Sequence, residues 1–367
     1  MKILSKHKDR LSNFELLRIF AMFLIVLHHC NLHGVFSYWS NNSSMLHHVN
    51  NIICFLLSSC GQVGVSLFIL LTGYFSCQQN FKLNKLLTIY LKTLFFSVLI
   101  FLIWLFIFPQ KAATAWRYSL FPLTNDAYWF ITTWLLLYAF SPLLNVILKS
   151  ASPKMIKSYL ILGTVIWVLF PVLNLKGLKY SDLVYFMYLY LLGASIKLKI
   201  ITFSKNYITL LFLAVFCFIL AMITTAVLFW KDSLYLWEFY KYESLNTIYT
   251  LSVSLYIFYL FKDLKINSLF INRISASMLG VYLLHDNLLV RPFLWHEILQ
   301  IDASMNSALF IIRSLANSLG VFGVCIITDK MLSLVYNPLI NFTEKQLLKI
   351  KFKQFSRVCA AKLRKYN

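Results

Sequence analysis

Apolar runs long enough to cross a bilayer alternate along this chain with short segments rich in Lys and Arg. A helical span needs about 20 predominantly apolar residues, and where water is absent its backbone groups must be satisfied within the segment. About ten such runs can be placed, at 13–32, 51–76, 86–108, 127–148, 156–174, 182–197, 206–229, 245–261, 277–295 and 307–330, the sixth and eighth being short. A mean hydropathy of +0.72, with 60% hydrophobic and 13% charged residues, excludes an ordinary soluble domain. The sequence predicts an all-α, polytopic membrane protein.

Charge sets the expected orientation. A net charge of +21 on a soluble chain would point to nucleic acid, but here the cations follow topology. Most of the 34 Lys and Arg lie in the N-terminus, in the loops near 77–85, 149–157, 197–205 and 262–273, and in the tail from Lys345. Cytoplasmic loops carry the excess of Lys and Arg, so an even number of spans with both termini cytoplasmic is expected, in the cell membrane and with no nucleic-acid partner. The expected organisation is a basic N-terminus at 1–12, a ten-span membrane domain at 13–335 and a basic tail at 336–367. The tail's interspersed Leu, Phe and Val suit an anionic lipid surface. The first run is too long and too charged for a cleavable leader and is read as a retained span. The seven cysteines show no metal or CxxC spacing and are expected as buried thiols.

The first span, NFELLRIFAMFLIVLHH (Asn13 to His29), carries charge where charge is costly. At about 100° per residue Arg18 and His29 fall roughly 20° apart around the axis, with Glu15 about 40° to the other side of His29. The same helix separates Arg18 from His29 by about 16 Å along its axis. Any one of these groups alone would be an interfacial ion pair or a helix-end residue. Three on one stripe mark a functional site, with Arg18 near the cytoplasmic face and His29 toward the outer face.

Other stretches supply further candidates. Gly61, Gly64 and Gly73 in GQVGVSLFILLTGYF read first as close helix packing. Lys82, Lys85 and Lys92 form either ordinary inside-positive decoration or a basic mouth for a phosphate-bearing ligand. Tyr128 and Trp129 open the fourth span as an interfacial belt or a platform for a sugar ring, and Pro142 can kink or end that helix. In the ninth span His285 and Asp286 are neighbours pointing to different faces, and either can face the Arg18/His29 stripe. His33, His47 and His48 have no known ligand spacing, so a solvated loop and no metal site are expected.

These residues resemble the integral-membrane acyltransferase 3 family, and most closely its stand-alone surface-polysaccharide O-acetyltransferases. The resemblance rests on R-x10-H from Arg18 to His29 with Glu15 before it, then GVSLFILLTGY, YWFITTWLLLYAFSPLLN and LGVYLLH in order. It implies transfer of an acyl group, usually acetyl, from cytoplasmic acetyl-CoA to a hydroxyl of a cell-surface or lipid-linked glycan. Acyl-CoA would be a co-substrate, with no permanently bound cofactor. His29 matches the family's essential histidine, Arg18 its essential arginine, and Glu15 the acidic position before it. In that reading His29 deprotonates the acceptor hydroxyl or mediates acyl passage, Arg18 orients the donor, and His285 is a second polar wall. Lys82 and Lys85 stand where many members carry an R-x-x-R pair, and Thr72-Gly73 replaces the commoner Ser-Gly. Many relatives carry an extracytoplasmic SGNH domain, so here either the membrane domain acts alone or a separate glycan-assembly partner completes transfer. The competing reading is a transporter or flippase for a lipid-linked sugar or an anion, which would favour broken helices in matching halves.

Overall fold

In the computed structural model, which describes residues 10–35, 45–170, 181–202, 205–228 and 245–363, the described residues are helical with no strand. The elements are α1 (Ser12–Gly34), α2 (Met45–Ser76), α3 (Leu83–Ile107), α4 (Pro109–Leu120), α5 (Trp129–Ser150) and α6 (Pro153–Thr164). They continue with α7 (Asp182–Lys197), α8 (Lys205–Leu228), α9 (Ile248–Lys262), α10 (Leu269–Ser275), α11 (Met278–His285) and α12 (Phe310–Leu363). The helix α1 is the post of the assembly. It packs along α2 and against α9, α10, α11 and α12, and 56% of its apolar window is buried against 28% for α3. A charged stripe on the most enclosed helix therefore faces protein, not lipid.

Five helices are long and apolar enough to cross a membrane: α1, Val49–Ser76 of α2, α3, α5 and Phe310–Gln346 of α12. The expected count of ten is thus not reached by full-length helices among the described residues. The helices α6, α7 and α9 have 12, 16 and 15 residues, and α6 runs on through a π-helical turn at Val165–Leu169. The far end of the fifth expected run, at 171–174, lies outside the described residues.

The ninth expected span is corrected more sharply. It is not one helix: α11 ends at His285, Asp286 leaves it at φ −98°, ψ 8°, and the chain resumes as Val290–Pro292 and a π-helical turn at Phe293–Ile298. The cause is Asn287, whose Oδ1 accepts from Leu289 N at 2.9 Å while its Nδ2 donates to Tyr128 Oη at 2.7 Å. Such local bonds compete with the helix ladder. The helix α12, by contrast, runs unbroken across the expected 335/336 border, with Pro338 inside it.

Asparagines take the place of water at helix ends. Asn13 Nδ2 donates to Phe261 O and Lys262 O at 3.0 and 3.1 Å, covering the last carbonyls of α9. Asn145 Nδ2 does the same for Ser76 O at 3.0 Å. Pro142 does not end α5. It leaves Tyr138 O without its usual donor, and Ser141 Oγ supplies one at 2.7 Å. The packing reading of the glycines holds where α2 crosses α7. A Cβ on Gly73 would strike Tyr190 O, and one on Gly193 would strike Leu70 O.

Candidate active site

The stripe on α1 opens onto two chambers. Arg18 and Met22 line a cavity of about 1200 Å³, whereas Ile25 and His29 line a separate one of about 340 Å³. Phe130 of α5 and Tyr282 of α11 line both, with ring centroids 5.8 Å apart and planes at 71°. These two aromatics are the shared wall.

In the larger chamber Glu15 organises the cations. It is buried and accepts from Arg18 and from Ser275 Oγ of α10, with Arg10 NH1 at 3.4 Å. Arg18 is thereby held over the Phe75 ring, its guanidinium carbon 5.4 Å from the centroid. Lys85 sits 5.3 and 4.7 Å from the centroids of the stacked Trp134 and Tyr138 rings. Lys92 is buried, not at a helix mouth: its Nζ lies 2.8 Å from Asp329 Oδ1 and donates to Tyr336 Oη at 2.8 Å. Lys82 is exposed and not part of the chamber lining, although its backbone N–H donates to Tyr138 Oη at 3.2 Å. Of the expected basic mouth, Lys85 and Lys92 line the same cavity as Arg18 and Lys82 does not.

The lining adds residues that sequence reasoning missed. Arg10, Arg273 and Lys330 join Arg18, Lys85 and Lys92, against the carboxylates Glu15, Asp329 and Glu344. An excess of cation in an enclosed space raises the local concentration of an anionic ligand. Asp329 had a signal, since an acid inside an apolar run is a functional candidate by default. Arg10 and Arg273 read as ordinary basic flanks and had none.

The smaller chamber is built around His29. His29 Nδ1 lies 2.9 Å from His285 Nε2 and 3.7 Å from Asp286 Oδ1. Both neighbours in sequence thus reach the same histidine. Arg291 NH1 is 3.6 Å from Asp286 Oδ1, so Arg291 belongs to the site. His33 is likewise corrected. It sits on the last turn of α1, not in a solvated loop, with Nε2 3.4 Å from Asp286 Oδ1. The side chains of His47 and His48 lie outside the described ones. Trp129 lines the chamber with Gln62 and His28, whose Nδ1 is bonded to Ser58 O. Tyr128 is buried behind it, donating to Leu283 O at 3.1 Å, and serves as a brace, not a chamber wall. Arg313 is exposed and reaches neither chamber.

His29, His33 and Asp286 also place one ligand atom each within 4.8 Å of one another. Two imidazoles and a carboxylate are a donor set that suits a divalent ion such as Zn²⁺. The local spacing of histidines does not signal it, because Asp286 comes from another element.

Chemically, the two chambers separate two tasks. One can gather a multiply charged anion, and the other presents an imidazole beside a carboxylate for proton transfer. Comparison with curated proteins and with solved structures finds no match. A family model for the acyltransferase domain matches residues 11–329, from α1 to the Asp329 turn of α12. That match takes in the smaller chamber, most of the lining of the larger one and most of the chain, and the chain therefore belongs to the acyltransferase 3 family of membrane acyltransferases.

Proposed function

We propose that this acyltransferase moves an acetyl or other acyl group from cytoplasmic acyl-CoA to a hydroxyl of a cell-surface or lipid-linked polysaccharide. One observation carries the reading. Arg18 and His29 stand on a single stripe of α1 yet open onto different chambers that share only the Phe130/Tyr282 wall. A donor that is anionic at one end and reactive at the other fits such a layout. The nucleotide end goes to the chamber of Arg10, Arg18, Lys85 and Arg273, whose volume of about 1200 Å³ exceeds the roughly 300–1,000 Å³ of drug-sized pockets. The thioester end reaches past Phe130 and Tyr282 toward His29. The inside-positive charge pattern supports a cytoplasmic position for the Arg18 chamber, with the protein in the cell membrane.

In the reaction, His29 takes the proton of the acceptor hydroxyl as its oxygen attacks the thioester carbonyl carbon. The carbon–sulfur bond breaks as the ester bond forms, and the thiolate of CoA leaves and recovers the proton. Asp286, 3.7 Å from His29 Nδ1, balances the imidazolium while it lasts. Glu15 holds Arg18 in its orientation throughout.

The test is transfer of label from radiolabelled acetyl-CoA to polysaccharide or lipid-linked sugar in inside-out vesicles, comparing wild type with His29→Ala. Label in wild type alone is expected. Label in a well-expressed His29→Ala protein would sink the assignment of His29. No label in wild type from acetyl-, succinyl- or longer acyl-CoA would sink the donor assignment.

A further inference from the structure

The hydrogen bonds around His29 determine which of its nitrogens is available for chemistry. His285 is fully buried, and its Nδ1 lies 2.6 Å from the carbonyl oxygen of Val281, one turn back on α11. A carbonyl only accepts, so that nitrogen carries a proton. Asp286 is engaged by His29, His33 and Arg291 and forms no ion pair with His285, so the neutral ring suits this enclosure. A neutral imidazole with its proton on Nδ1 presents a bare lone pair at Nε2. That lone pair points at His29 Nδ1 from 2.9 Å. Two lone pairs facing each other at this distance would repel, so His29 Nδ1 must be the donor. The chain of donors runs from His29 Nδ1 to His285 Nε2, and from His285 Nδ1 to the backbone. His29 Nε2 is then the remaining lone pair, and no hydrogen bond from the described residues engages it.

We propose that His285 is a positioning residue that locks His29 in the Nδ1–H tautomer, leaving Nε2 as the atom that takes the acceptor's proton. The inference deepens the general-base reading above and rests on it. The backbone carbonyl of Val281 fixes His285, and His285 fixes His29. A second imidazole thus does what a carboxylate does when it orients a catalytic histidine. Asp286 beside the pair is left to balance charge instead of setting the tautomer. The last residue of α11 and the first residue beyond it both approach the same ring.

The experiment is nitrogen NMR of the full chain labelled with 15N-histidine and reconstituted in lipid, read together with steady-state kinetics. In wild type, His29, assigned by its loss in His29→Ala, should show a protonated Nδ1 and a bare Nε2. His285→Leu removes the acceptor, so the His29 tautomer should become mixed. Its kcat should fall by about 100-fold, at the low end of what a general base contributes, with the KM for acetyl-CoA unchanged. His285→Gln keeps an acceptor oxygen at similar reach and should restore both the tautomer and most of kcat. A wild-type His29 protonated at Nε2, or a His285→Leu protein whose His29 tautomer is unchanged, would overturn the proposal whatever the activity. The wild-type spectrum alone decides the tautomer if the leucine variant fails to fold. Transfer retained in His29→Ala would overturn the base reading and the proposal with it, while leaving the tautomer readable.

Discussion

Lys92 Nζ lies 2.8 Å from Asp329 Oδ1 with both side chains more than nine-tenths buried, and Tyr336 Oη donates to the same carboxylate at 3.0 Å. The pair ties α3 to α12, and Asp329 is pressed against Gly280 of α11 so closely that a Cβ there would meet its Oδ1. Breaking a buried pair strands one charge and costs about 3–5 kcal/mol. Asp329→Asn or Lys92→Met should therefore lower thermal stability in detergent by that order. The double variant should recover part of the loss, since no charge is left unpaired. Single variants as stable as wild type would show that the pair does not hold these helices together.

Arg18 should behave differently, because its side chain faces the large chamber and its partner Glu15 is shared with Arg10. Hydrogen bonds to charged groups contribute about 1.5–3 kcal/mol, or roughly 10- to 100-fold in binding. Arg18→Ala should raise the KM for acyl-CoA by that factor. Arg18→Lys should restore little of it, because a point charge does not reproduce the planar fork. Kinetics of both variants in vesicles at fixed ionic strength test this, and a lysine variant indistinguishable from wild type would rule out fork-like recognition.

Phe130 is one of the two side chains that line both chambers. Truncating it to Ala removes most of one side of the shared wall and should let acyl donors longer than acetyl compete. Loss of a buried aromatic also costs about 3–5 kcal/mol, so the comparison belongs at a temperature where the variant remains folded. The readout is the ratio of kcat/KM for octanoyl-CoA to that for acetyl-CoA, expected to rise roughly ten-fold, the low end of what one methylene is worth in a pocket. An unchanged ratio would place chain-length selection elsewhere.

Because His29, His33 and Asp286 place one ligand atom each within 4.8 Å of one another, acyl transfer should be sensitive to Zn²⁺. Metal bound there withdraws the imidazole from proton transfer, so Zn²⁺ in excess over protein should slow acyl transfer and chelation should reverse it. His33→Ala removes one ligand and should raise the half-inhibitory concentration roughly ten-fold, a shift typical of weakening a metal site. Inhibition of equal strength in the variant would assign the effect to other groups.

Much of the site was legible because it lies on one helix. Helical periodicity alone placed Glu15, Arg18 and His29 on a common stripe, and α1 keeps that geometry. What periodicity does not carry is how other helices meet that stripe. Asp329 and Tyr336 reach Lys92 from α12, and Ser275 reaches Glu15 from α10, over sequence separations no local pattern encodes. Among the described residues the full-length spans fall short of the expected ten for a related reason. Apolar length marks a segment as buried but does not distinguish a crossing from a broken pair, and Asn287 breaks the ninth run through a single side-chain bond. Pro142 could kink or end its helix, and it does not end it, since its missing hydrogen bond is replaced by the hydroxyl of the residue before it.

The aromatic wall bears on the cell's energy as well as on chemistry. A membrane that stores a proton gradient loses it through any continuous file of water, and two polar chambers end to end would be such a file. Phe130 and Tyr282 interrupt it with two packed rings, of which only the Tyr282 hydroxyl offers water a partner. In the proposed transfer the alkyl part of the acyl group would fill that gap as it passes and keep the file broken. The same two side chains that admit the cargo can thereby insulate the bilayer during turnover.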